Sequence, residues 1–120
     1  MKFHHISLRV RDFETSMHFY QTLLGLNVAK AFQPDADSHE AYLQNAEGET
    51  QIELIALPAG DKFEGKGMFL CFATDDLEAA HKVAVEGGFT PSDIRQPEPT
   101  AKYFYVYDPD GVSVQLREYK

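Results

Sequence analysis

Two parts of this chain follow the same plan, and that internal repeat limits the possible folds more than any other feature. Ile6, Leu8 and Val10 alternate with His5, Ser7 and Arg9, the period-two pattern of a strand with one apolar and one polar face. Asp12 reads as a helix N-cap with Glu14 in the first turn, Phe13, Met17, Tyr20 and Leu24 follow at helical spacing, and Gly25 ends the run. Strands are expected at 26–32, 39–44 and 51–57, separated by polar turns. The second part repeats the order: a strand at 68–73, and a helix starting at Asp75 or Asp76, with Glu78 in its first turn and Leu77, Ala80 and Ala84 on one face. Gly87-Gly88 then gives a stop before strands at 89–94, 103–107 and 112–116. Asp108-Pro109-Asp110-Gly111 is a strong turn signal.

The repeat predicts an α+β fold of two tandem β-α-β-β-β modules, each with its helix on one sheet face, the other faces forming a cupped mixed sheet around a cleft. Module 1 spans 1–57 and module 2 spans 68–120. The segment between them, 58–67, carries one Pro and three Gly and reads as a linker. Modules of about 55 residues are marginal alone, so they are expected to pair into one domain. The chain has 11 Lys plus Arg against 19 Asp plus Glu, a net charge of −8. That balance argues against nucleic acid or anionic lipid as a partner. No apolar run approaches the length of a membrane span, the N-terminus lacks an apolar signal segment, and the lone Cys71 excludes an internal disulfide; together these fit a cytoplasmic protein.

His5-x-Ser7-Leu8-Arg9-Val10-x-Asp12, Phe19-Tyr20, Leu24-Gly25-Leu26, Gln51-Ile52-Glu53-Leu54 and Asp108-Pro109-Asp110-Gly111 together resemble the vicinal oxygen chelate superfamily. That superfamily includes glyoxalase I, bleomycin-resistance proteins and extradiol dioxygenases, and the resemblance is nearest to the lactoylglutathione lyase branch. It implies four metal ligands, one each from the first and last strands of the two modules. These fall on His5, Glu53, Met68 and Gln115, with His5 and Met68 separated by 63 positions and Glu53 and Gln115 by 62. Met68 stands where the family usually has His, and Gln115 where it usually has Glu. A divalent Ni, Zn, Co or Mn ion is the implied cofactor, Glu53 the implied catalytic base, and a small anionic or thiol-adduct molecule the implied substrate of a lyase or isomerase reaction. The alternative is a small-molecule-binding protein of the bleomycin-resistance type that needs no metal. Members of this size commonly form homodimers, and the same is expected here.

Arg9 lies on the strand face of His5 and suits a substrate carboxylate. Ser7, Tyr103 and Tyr105 are the other candidate substrate contacts. Tyr103, Tyr105 and Tyr107 alternate along one face, which would line an aromatic pocket, form a dimer surface or simply suit a sheet. Leu57 falls where the family usually places an Asn that contacts glutathione. His4 is expected on the opposite face from His5, His18 in solvent, His39 near the pocket mouth as a possible substitute ligand, and His81 in a structural role. Cys71 is expected to be a small buried hydrophobe.

Overall fold

The computed structural model describes residues 1–119 and divides into two compact units, Met1–Phe63 and Glu64–Lys120. The first unit runs β1 (His5–Arg9), α1 (Phe13–His18), a π-helical turn (Phe19–Leu23), β2 (Asn27–Phe32), β3 (His39–Gln44) and β4 (Gln51–Ala56). Its four-stranded sheet has the order β1-β4-β3-β2, with β1 parallel to β4 and the remaining pairs antiparallel. The second unit runs β5 (Leu70–Ala73), α2 (Leu77–Glu86), β6 (Arg95–Glu98), β7 (Ala101–Tyr107) and β8 (Ser113–Tyr119). Its sheet, β5-β8-β7-β6, has the same order and the same one parallel pair. The repeat expected from the sequence is therefore present in its order of elements.

Both helices start where the caps require. The Asp12 carboxylate accepts from the Thr15 backbone N–H and Asp76 from that of Ala79, so each satisfies an amide that has no partner inside the helix. Gly25 and Gly88 both take positive φ after their helices, at 66° and 76°, which side chains resist. The first helix ends differently from expectation. It widens into a π-helical turn over Phe19–Leu23, which places Phe19, Tyr20 and Leu23 in the core. Phe19 is completely buried, a change worth roughly 1.5–3 kcal/mol for such a side chain. The apolar faces of β1, β3 and β4 add Leu8, Ala41, Leu43, Ile52 and Leu54 to that core.

In the second unit Leu77 and Ala84 of α2 share a core with Phe104, Val106, Val114 and Leu116. The Lys102 ammonium pins α2 to its sheet, lying 2.6 Å from Glu78 and 3.1 Å from the buried Glu118 carboxylate. One strand departs from expectation. Residues 89–94 are irregular, and β6 begins only at Arg95. Thr90 takes a φ of 57° and Pro91 has no N–H to donate. Ser92 contacts β7 with its N–H on Tyr105 O, but its Oγ, not its carbonyl, receives the Tyr105 N–H. The Ser92 carbonyl instead lies 2.8 Å from His81 Nε2, so it is drawn away from the ladder.

Candidate functional site

Side chains on alternate strand positions share a face, and the polar face of the first unit gathers most of the expected residues. Ser7 lies opposite Glu53 across the β1–β4 pair, and Tyr42 lies opposite Glu53 across β3–β4. The Ser7 hydroxyl donates to Glu53 Oε1 at 2.6 Å. The Tyr42 phenol is hydrogen-bonded to the same carboxylate, and this bond, with desolvation and the nearby negative charge behind it, pushes the phenol above its ordinary pKa. Glu53 is only 6% exposed although it lies in the middle of the polar face. A carboxylate in that position needs donors, and the two hydroxyls supply them.

His5 Nε2 is 3.6 Å from Glu53 Oε1, within ion-pair range but beyond an ordinary hydrogen bond. Its ring stands edge-on to Tyr42 at 5.2 Å. The other ring nitrogen, Nδ1, is 2.7 Å from Nδ1 of His4, so one imidazole donates and the other accepts. His4 thus joins the cluster it was expected to face away from. Arg9 continues the same face one step beyond Ser7. Its Nη1 lies close to Gly60, where an added Cβ would come within 2.9 Å. His39 stacks on Phe13 at 5.0 Å, on the helix side, and is not placed as a substitute ligand. His18 contacts Thr22.

The second unit carries a matching cluster in neutral form. Gln115 lies opposite Cys71 across β5–β8 and opposite Tyr105 across β7–β8. The Cys71 thiol donates to Gln115 Oε1 at 3.2 Å, and Gln115 Nε2 donates to the Tyr105 oxygen at 2.8 Å. Phe69 stands edge-on to Tyr105 at 5.5 Å, as His5 does to Tyr42. Register therefore equates His5 with Phe69, Ser7 with Cys71, Tyr42 with Tyr105 and Glu53 with Gln115. This corrects the sequence-based placement of the third ligand position on Met68. Met68 precedes β5 and is 51% exposed, while Phe69 occupies the place equivalent to His5. Cys71 is also corrected: it is exposed on the polar face, opposite the side of the buried Leu70. Tyr103 lies beside Tyr105 at 5.6 Å, with the Arg117 guanidinium 5.3 Å from its ring.

The donors fit a resident divalent cation poorly. The four equivalent positions hold one imidazole, one carboxylate, one phenyl ring and one amide, and the amide oxygen already accepts from Cys71. Among the described residues no group of three or more His, Cys, Asp or Glu side chains is placed to hold a metal. No helix among them is long and apolar enough to cross a membrane.

A sequence model of the Glyoxalase/Bleomycin resistance protein/Dioxygenase superfamily matches residues 2–116. The chain belongs to this superfamily. Among curated proteins it is 32% identical to the uncharacterized protein YwbC of Bacillus subtilis, over 93% of each chain. It is 28% identical to a lactoylglutathione lyase of Haemophilus influenzae, covering 100% of this chain and 94% of that one. Among solved structures, a fosfomycin resistance protein, FosX, of Listeria monocytogenes superposes with a TM-score of 0.80 at 16% identity, covering 100% of this chain and 94% of that one. That likeness is one of fold. The superfamily's tandem-module scaffold is thus present in full, while half of the ligand positions that the resemblance implies carry side chains of other chemistry.

Sequence reasoning missed Tyr42, Phe69 and His4 as members of these clusters. A signal for Tyr42 existed: it precedes Tyr105 by 63 positions, the spacing of the repeat.

Proposed function

We propose that this superfamily member binds a small molecule without a resident divalent metal, in the manner of the bleomycin-resistance type. One observation carries the reading: at the second-module places equivalent to His5 and Glu53 stand Phe69 and Gln115. These keep the shape of the cluster but remove an imidazole and a negative charge, the two properties a divalent cation would need there. In this reading Glu53, His5 and Ser7 present polar groups to the ligand from the first module, and Arg9 pairs with an anionic group on it. The domain acts as a cytoplasmic homodimer; gel filtration that finds only a 13.6 kDa species would overturn the dimer.

A second reading is favoured by the 3.6 Å approach of His5 to Glu53 and by the relative named lactoylglutathione lyase. Here the chain is a glyoxalase-I-like lyase in which Glu53 moves the proton between adjacent carbons. Such an enzyme must also stabilise the negative charge that develops on the substrate, the task a metal performs in metal-assisted catalysis. Metal analysis of protein purified without a His tag, combined with thermal shifts in Ni, Zn, Co and Mn, separates the two. The binding reading expects neither stoichiometric metal nor a shift. One equivalent of metal per chain, with hemithioacetal isomerase activity lost in Glu53→Ala, would establish the lyase instead.

A further inference from the structure

We infer that the second module's polar face binds a planar aromatic ligand bearing an anionic oxygen, with the Tyr105 hydroxyl as the donor to that oxygen. The inference rests on the small-molecule reading above and names the class of ligand. It follows from a reversal of hydrogen-bond direction between the modules. A carboxylate only accepts, so the hydrogen of the Tyr42 hydroxyl is committed to Glu53. In the second module Gln115 presents an N–H to the Tyr105 oxygen at 2.8 Å, and the phenol is therefore the acceptor. The Cys71 thiol donates to the other end of the same amide. The hydrogen of Tyr105 is left without an acceptor among the described residues. A hydroxyl that already accepts a hydrogen bond is also polarised into a better donor.

The surroundings select the rest of the ligand. Phe69 and Tyr103 stand nearly perpendicular to the Tyr105 ring, at 88° and 79°, and offer aromatic surface on either side of it. Phe69 is 49% exposed, so this surface is reachable. Apolar rings alone would accept a neutral, cationic or anionic arene. Charge decides among them. The same-face positions of β5, β7 and β8 up to Arg117 carry no acidic side chain, and Arg117 faces Tyr103 across the β7–β8 pair. Arg95 faces Tyr103 from β6, while Glu98, further along that edge strand, faces Ala101 and not the tyrosines. The first module's face instead mixes signs, Glu53 and Glu40 standing with Arg9 and Lys30. An anionic oxygen beside the tyrosine is thus favoured at Tyr105, and disfavoured at Tyr42, where Glu53 already takes the phenol hydrogen.

The test uses the full chain and four probes: benzoate, benzylammonium, cyclohexanecarboxylate and toluene, titrated by NMR. Benzoate should bind with about millimolar affinity, as expected for so small a ligand, and should shift signals of Tyr105 and Phe69. Benzylammonium should not bind, and cyclohexanecarboxylate should bind more weakly than benzoate. Tyr105→Phe should weaken benzoate about tenfold, the loss of one charge-assisted hydrogen bond, while leaving toluene unchanged. Gln115→Glu should abolish benzoate binding, because the new carboxylate takes up the Tyr105 hydrogen and repels the ligand. Equal benzoate affinity in wild type and Tyr105→Phe would overturn the role of Tyr105. Failure of benzoate to bind, or binding of benzylammonium in its place, would overturn the ligand class. Neither result touches the metal test above, which decides the small-molecule reading separately.

Discussion

The two modules share a backbone plan and differ in the chemistry set on it. Each has a Tyr on its third strand that meets the third residue of its last strand: Tyr42 with Glu53, and Tyr105 with Gln115. Each has a small donor on its first strand, Ser7 or Cys71, aimed at the same group. The first module ends in charge, with an imidazole beside a carboxylate. The second ends in neutral isosteres, with a phenyl ring beside an amide. Fold stability depends on the opposite faces, where Leu54 and Leu116 are both buried. The polar faces are therefore free to diverge, and the difference shows that duplicated scaffolds can keep the geometry of a cluster while exchanging its electrostatics.

That comparison can be broken or sharpened by experiment. Leu54→Ala and Leu116→Ala, at equivalent core positions, should each destabilise by about 2–5 kcal/mol in denaturant unfolding. A cost below 1 kcal/mol for only one of them would show that the modules are not equivalent in packing. The double variant Phe69→His with Gln115→Glu restores the donor types that the superfamily resemblance implies. It should acquire divalent metal and be stabilised by it by about 2.7 kcal/mol at a hundredfold excess over Kd, read as a raised melting temperature. An unchanged melting curve would show that ligand identity is not what separates the modules. A smaller effect is expected from Glu53→Gln, which gives the first module the second module's amide. The Tyr42 pKa should fall back toward the ordinary tyrosine value, read as tyrosinate absorbance against pH. No movement would remove Tyr42 from the cluster.

The smallest effect concerns the caps. Hydrogen bonds from Thr15, backbone first and side chain second, hold the Asp12 carboxyl below its ordinary pKa. Its folded pKa is depressed, so its contribution is complete above the unfolded value of about 3.9 and is lost as pH falls through the lower, folded value. Asp12→Asn keeps an acceptor at the cap but cannot titrate. Melting temperatures followed from neutral to acid should show a shallower acid loss in this variant. Identical acid profiles would assign the acid sensitivity elsewhere.

Much of this was legible in the residues. The Asp12 cap, the second cap to within one residue (Asp75 or Asp76), both stop glycines and seven of the eight strands follow from period-two and helical patterning, because half-buried strands and capped helices impose strict spacings. The missing detail was register. From Asp12 to Gly25 is one residue further than from Asp76 to Gly88, and the π-helical turn absorbs the extra residue. From Tyr42 to Glu53 is again one residue further than from Tyr105 to Gln115, the difference lying in the turn before the last strand. A fixed offset carried across both differences slides off the first strand by one position and pairs His5 with Met68 in place of Phe69. The caps would have corrected it, since Asp12 and Asp76 stand as far apart as His5 and Phe69. The late start of β6 was not legible, because it depends on His81 capturing a carbonyl eleven residues away.

The φ of 108° at Gly60, beside the Arg9 guanidinium, has an evolutionary consequence. The segment around it is otherwise polar and irregular, the kind of segment that drifts freely between species. Gly60 is held by its own backbone: at that φ any side chain is strained whatever space surrounds it, while the tip of a flexible arginine can swing aside. Position 60 should therefore stay glycine across descendants of this gene even in lineages that exchange Arg9.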